Sequence, residues 1–133
     1  MSYIGKVPEE LLYTKEHEWV NIESSSATIG ITDYAQHALT DVVFVELPKI
    51  GKECIQFKPL CIVESVKSVS DVFAPVSGTV LETNKPLENS PENVNTDPYG
   101  IGWFAKIKLK DVKEKTNLMS ASEYKSYLEG LKH

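Results

Sequence analysis

Lys67 sits beside the centre of a mirror. In the stretch CIVESVKSVSDVFAP, residues 61–75, counting outward from the Lys67–Ser68 midpoint sets Val66 against Val69, Ser65 against Ser70, Glu64 against Asp71 and Val63 against Val72. Such symmetry predicts a β-hairpin with Lys67 and Ser68 at its tip. The commonest tight hairpin turns want Gly or Asn at positions of positive φ. Lys-Ser offers neither, so a type I turn or a wider loop is expected. A solvated lysine is a poor nucleophile, and Schiff-base chemistry needs an amine that is desolvated or beside another cation. An amine held out on a rigid hairpin suits a different task, acylation by a modifying enzyme that installs a tethered group carrier such as lipoamide or biotin. An ordinary hairpin with a solvated lysine shows the same pattern, and the pattern alone leaves both open. In this register Glu64 and Asp71 are directly cross-strand, a like-charge pair that costs stability. Marking the tip for a modifying or partner enzyme would give them a use.

The remaining reactive side chains form weaker patterns. His17-Glu18-Trp19 sets two polar groups beside a large aromatic, and Tyr34 and His37 lie three apart in a segment of helical character. Each also suits a plain surface. P-loop, GxGxxG, HExxH and GxSxG patterns are missing, and no spacing singles out an acid–base pair among the nineteen carboxylates. Cys54 and Cys61, without a CxxC or a neighbouring histidine, read as reduced structural thiols. His17, His37 and His133 are isolated from one another and from the cysteines, so no metal site is expected.

These groups need a scaffold, and 133 residues provide for one domain with a sizeable core. A formal charge of −5 and scattered lysines argue against nucleic acid as a partner. MSYIGKVPEELLYTK carries no apolar run of a secretion signal, and no stretch approaches the roughly 20 apolar residues of a membrane span. A cytoplasmic protein of bacterial type is expected, without a membrane partner, or a mitochondrial matrix protein if the chain is a processed one.

Residues 1–15 read as a lead-in in which Pro8 and EELLY could form a helical turn. Strands are expected at EWVNIE, SATIGI, VVFVELP, ECIQF (weakly), PLCIVESV, TVLET and WFAKIKLK, where Ala105, Ile107 and Leu109 alternate with lysines. Thr32 is placed to cap a short helix through DYAQHAL. Pro75 and Gly78 suit a type I turn, and Ser90-Pro91 suits the start of a helical turn inside the polar connection 84–100. Ser120 and Glu123 form a capping box for a final helix of about 121–130, with Tyr124, Tyr127, Leu128 and Leu131 on one face and Gly130 placed as its C-cap. The sum is a mostly β fold, a small barrel or sandwich with short peripheral helices, its core spanning about 16–110.

Five stretches, YTKEHEWV, ATIGITDYAQHALTDVVFVELP, VESVKSVSDVFAPVSGTV, NVNTDPYGIGWFAKIK and EYKSYL, together resemble the H-protein family of the glycine cleavage system. They cover nearly all of residues 11–128 in order. GITDYAQHAL and VVFVELP are the more specific, since they lie outside the hairpin. Biotin domains typically set methionines beside their lysine, where this chain has Val66 and Ser68; lipoyl domains of 2-oxo acid dehydrogenases typically read Asp-Lys-Ala. The resemblance implies a single lipoyl-type domain, a barrel–sandwich hybrid, with lipoate amide-linked to Lys67 by a lipoate-attaching enzyme. It implies a carrier rather than an enzyme, serving a pyridoxal-phosphate glycine decarboxylase, a folate-dependent aminomethyltransferase and a flavin dihydrolipoamide dehydrogenase.

It also implies a cleft that shelters the loaded arm, with Glu18 among the residues lining it; the segment from Thr32 to Leu39 is expected on the same side, where Ala35 or Ala38 leaves room for the arm. A histidine sometimes found in that helix would fall at Ala38. His37 is one position earlier, about 100° around the helix, and is not expected to replace it. If Trp19 is core, strand alternation turns Glu18 outward and leaves its carboxylate free. Biotin carriage, relay of lipoyl groups to 2-oxo acid dehydrogenases and a non-catalytic binding role remain as alternatives.

Overall fold

Antiparallel pairing organises residues 3–131, the part of the chain that this computed structural model describes; His133 lies outside it. The strands are β1 (Leu12–Tyr13), β2 (Glu18–Glu23), β3 (Ser26–Ile31), β4 (Val42–Glu46), β5 (Glu53–Cys54), β6 (Pro59–Ser65), β7 (Val69–Phe73), β8 (Gly78–Thr83) and β9 (Ala105–Leu109). They form a six-stranded sheet ordered β1-β2-β3-β9-β8-β5 and a three-stranded sheet ordered β4-β6-β7. The helices are α1 (Asp33–Leu39), the single turns α2 (Pro86–Asn89) and α3 (Asn93–Thr96), a 3₁₀ helix at Val112–Asn117, and α4 (Ala121–Gly130). None is long and apolar enough to cross a membrane.

The chain buries two apolar clusters. The first fills the space between the sheets and includes Val20, Ile29, Val45, Val63, Val72, Val80 and Ile107. The second lies on the other side of β1 and β2, where Tyr13 and Trp19 pack against Tyr124 and Leu128 of α4. Strand β2 is therefore covered on both faces at its start. Trp19, buried and hydrogen-bonded through Nε1 to the Pro98 carbonyl at 3.0 Å, belongs to the outer cluster. Val20 belongs to the inner one, and Glu18 shares its side of the strand.

Two glycines permit close approaches. A Cβ on Gly30 would lie 2.7 Å from the Trp19 ring, and one on Gly78, at φ +156°, would lie 1.9 Å from the Lys108 carbonyl oxygen across the β8–β9 pair.

Most expected elements form. Thr32 caps α1, accepting from Ala35 N at 3.2 Å, and the Ser120–Glu123 capping box opens α4. Two details differ. Leu12–Tyr13 is a short strand rather than part of a helical turn, because Tyr13 exchanges backbone bonds with Met119 as well as pairing with Trp19. Gly130 is the last residue of α4, and the cap falls on Leu131 with right-handed backbone. The connection 84–100 holds two helical turns, α2 with Pro86 at its start and α3 just after Pro91. Asn95 of α3 ties down the end of α1, donating to the Gln36 side chain and the Thr40 carbonyl and accepting from Val42 N.

Candidate functional site

The β6–β7 hairpin carries Lys67 exposed at its tip, but the register differs from the mirror. Pairing runs Glu64↔Val69, Val63↔Ser70, Ile62↔Asp71 and Cys61↔Val72. The turn is thus Val66-Lys67, closed by Ser65 and Ser68, with Ser65 N donating to the Ser68 carbonyl at 2.8 Å. Ser68 is the closing residue, not the tip. Glu64 and Asp71 are diagonal neighbours on the outer face, not a direct cross-strand pair.

Ser65 explains why no Gly or Asn is needed. Its hydroxyl oxygen accepts from Lys67 N at 3.3 Å and Ser68 N at 3.1 Å, a side-chain-closed turn in which hydroxyl replaces carbonyl. None of residues 65–68 has positive φ. The Asp41 carbonyl accepts from Val66 N at 3.0 Å and anchors the turn to the chain before β4. Val66 and Val69 are two-thirds exposed, at 67 % and 66 %, flanking the lysine with apolar surface.

A cleft of about 220 Å³ opens between α1 and β7. Glu16, His17 and Glu18 form its floor, Ala35 and Ala38 one wall, and Ser70–Val72 the other. Thr32 does not line it; it is fully buried as the cap of α1. Glu18 does line it, yet its carboxylate is neither outward nor free. The residue is 1 % exposed, the Thr14 hydroxyl donates to one oxygen, and Phe73 N donates to the other at 3.1 Å. Outward orientation fails because Trp19 packs in the outer cluster, which turns Glu18 toward the opposing sheet. Burial pushes its carboxyl up to about 7, against the hydrogen bonds from Thr14 and Phe73, which favour the ionised form.

His17 is the cleft residue that the sequence left unresolved. Its backbone is left-handed at φ 74°, its Nδ1 lies 2.8 Å from the Tyr124 hydroxyl of α4, and its ring packs 4.6 Å from that of Tyr34. Burial lowers its pKa to about 4, leaving the imidazole neutral at physiological pH. The HEW triplet was the available signal; the partner in α4, 107 positions away, was not. His37 turns from the cleft and stacks on Tyr3 with centroids 3.8 Å apart. Cys54 and Cys61 are buried free thiols, and burial raises both, Cys54 to about 11. They are accordingly unsuited to nucleophilic or redox work. Among the described residues no group of three His, Cys, Asp or Glu side chains could hold a metal ion.

A rigid two-sheet body that holds out one lysine on a self-closed hairpin, beside a small part-apolar cleft, defines a carrier of a covalently attached group. The glycine cleavage H-protein family model matches residues 11–131. The glycine cleavage system H protein of Halothermothrix orenii is 54 % identical over 123 residues, covering 92 % of this chain and 96 % of that protein. The probable counterpart in Pyrococcus horikoshii is 53 % identical, with 95 % of each chain covered. The crystal structure of the H protein from Mycobacterium marinum superposes with a TM-score of 0.85 at 38 % identity, covering 94 % of this chain and all of that one. The chain belongs to the glycine cleavage H-protein family, whose members are lipoyl-lysine carriers and not enzymes.

Proposed function

We propose that Lys67 carries lipoate in amide linkage and serves in turn a pyridoxal-phosphate glycine decarboxylase, a folate-dependent aminomethyltransferase and dihydrolipoamide dehydrogenase. The observation that carries this reading is the placement of Lys67 alone at the tip of the Ser65-closed turn, within a chain matched by the family over residues 11–131. When attached, the group supplies a dithiolane whose sulfurs take up an aminomethyl fragment and a pair of electrons. The surroundings fit it. Ser70–Val72, the cleft wall on β7, lie three to five residues beyond Lys67, or about 10–17 Å of strand. An arm of roughly ten bonds at ~1.5 Å each matches that reach.

The remaining roles belong to this chain's own residues. Ser65 fixes the direction of the tip. Ala35 and Ala38 leave room beside α1, and Glu18 bridges Thr14 of the lead-in to Phe73 of β7, holding the cleft floor against its wall. Glu64 and Asp71 lie on the outer face near the tip as an acidic mark for the lipoate-attaching enzyme or a partner.

Co-expression with a lipoate-attaching enzyme, followed by intact and peptide mass spectrometry, tests the assignment. A single modification at Lys67 is expected, with none in K67R. Modification surviving in K67R, or biotin taken up in preference to lipoate, overturns it. Reconstituting glycine cleavage with the partner enzymes separates this function from a lipoyl relay.

A further inference from the structure

The hydrogen bonds around Tyr124 fix more than a helix. The Thr32 hydroxyl oxygen accepts from Ala35 N as the cap of α1, at 3.2 Å, and lies 2.8 Å from the Tyr124 hydroxyl. That hydroxyl lies 2.8 Å from His17 Nδ1. Thr32 and Tyr124 are both fully buried. Among the described contacts Tyr124 is the one acceptor within reach of the Thr32 proton. Buried donors are rarely left unused, so Thr32 donates to Tyr124, and Tyr124 then donates to His17 Nδ1. The Thr32 and Tyr124 hydroxyls then each both accept and donate, and the proton of the imidazole is placed on Nε2. That nitrogen has no protein partner and is not among the sealed polar atoms. It belongs to a half-buried ring that lines the cleft.

We propose that His17 is a binding residue of the cleft, locked by Thr32 and Tyr124 as the Nε2–H tautomer, and that it donates this N–H to a sulfur of the reduced lipoyl arm. The inference rests on the reading that the arm enters this cleft. Glu18 is not free for this part: its two oxygens already accept from the Thr14 hydroxyl and from Phe73 N. Burial keeps the imidazole neutral, so the donor is a dipole rather than a cation. It therefore does not compete with the amine end of a loaded arm for the carboxyl groups of Glu16 and Asp71 that line the cleft. The left-handed backbone of His17 is a strained conformation for a residue with a side chain, and it is what turns the ring between Tyr34 of α1 and Tyr124 of α4. Thr32 and Tyr124 act through His17 and are positioning residues. The titratable groups that pack against this imidazole are Tyr34 from α1 and Tyr124 and Tyr127 from α4, and those that line the same cleft are Glu16 and Glu18 from its own segment and Asp71 from β7.

Imidazole nitrogen correlation spectra of the ¹⁵N-labelled full-length protein, with H17Q assigning the resonances, test this in two steps. In the unmodified chain a single His17 tautomer protonated on Nε2 is expected, and averaged, mixed-tautomer shifts in Y124F, which keeps the buried ring and loses only the hydroxyl. The Nδ1–H tautomer in the native chain overturns the proposal. In the lipoylated, chemically reduced chain, His17 Nε2 should shift together with the amides of Ala35, Ala38 and Val72. Shifted amides with an unmoved Nε2 overturn the proposal alone. If neither moves, the arm does not enter the cleft and both readings fall. An ultraviolet titration of the reduced arm supplies an independent reading. The thiol that titrates first should do so at higher pH in H17L, by about one unit, a tenfold change in thiolate population at fixed pH. Its titration should stay near the native position in H17Q, whose amide still donates. Equal titration in all three proteins overturns the proposal.

Discussion

The attachment hairpin and the cleft share strand β7, yet they are built in opposite ways. The hairpin is local: Ser65 closes its own turn two and three residues on, and the tip needs no residue beyond Asp41 to hold its direction. The cleft is assembled from distance. Glu18 reaches 55 positions to Phe73 N, and His17 reaches 107 to Tyr124. The hairpin places its functional atom in water, where a modifying enzyme can reach it, whereas the cleft takes its polar groups out of water. Burial moves Glu18 up and His17 down in pKa, so both lean toward their neutral forms. On the function proposed above, the hairpin is the region that offers the lysine to several enzymes and the cleft the region that shelters the cargo between visits.

The sharpest way to break that contrast is through pH. Glu18, raised to about 7 from 4.5, disfavours the folded state as it ionises; stability is fully present below pH 4.5 and falls as pH rises toward 7. His17, lowered to about 4 from 6.5, does the opposite; its contribution is fully present above pH 6.5 and is lost as pH falls toward 4. The windows overlap, so the two slopes largely cancel in the native protein. Denaturant titrations from pH 4 to 8 should therefore show a steeper rise with pH in E18Q than in the native chain, and a fall with pH in H17Q. The Glu18 effect should reach about 3 kcal/mol, and that of His17 less, since its ring edge is partly hydrated. Parallel profiles in all three proteins would mean that the cleft does not desolvate its charges.

A smaller effect is expected in the hairpin. S65A removes the acceptor for Lys67 N and Ser68 N. Both amides are near water, so the cost should be about 1 kcal/mol rather than the penalty of a sealed donor. Hydrogen exchange should accelerate at residues 66–68 and remain native at Ala35, Ala38 and Val72. Faster exchange on both sides would show that the two regions are coupled after all.

The same division explains what could be read from sequence. Alternation found the strands, Ser120 and Glu123 announced α4, and the mirror about Lys67 found the hairpin. It did not find the register. The expected Val63–Val72 pairing and the observed Val63–Ser70 pairing differ by two residues. A slip of one residue would move every side chain to the other face, but a slip of two leaves the buried set buried. The burial pattern is blind to it, and the Ser65 hydroxyl decides. Glu18 was misplaced for a different reason. Alternation assigns inside and outside only where one face of a strand is covered, and α4, about a hundred residues later, covers the other face of β2.

The register sets the smallest expected effect, at Glu64 and Asp71. Had they been directly opposed, replacing both with amides would relieve a like-charge contact and raise stability measurably. On the diagonal they stand about 7–8 Å apart at the backbone, with Ile62 and Val69 as their direct partners. At that separation, on a solvated face, their repulsion is largely screened at physiological ionic strength. The stability of E64Q/D71N should therefore lie within about 0.5 kcal/mol of native, while lipoylation of Lys67 slows several-fold if the two acids mark the tip. The two measurements separate the possibilities cleanly. A gain of 1 kcal/mol or more restores direct opposition and places the turn back at Lys67-Ser68. Native lipoylation and partner turnover with unchanged stability reduces the acids to a hydrated face, leaving recognition of the tip to Val66, Val69 and the direction imposed by Ser65.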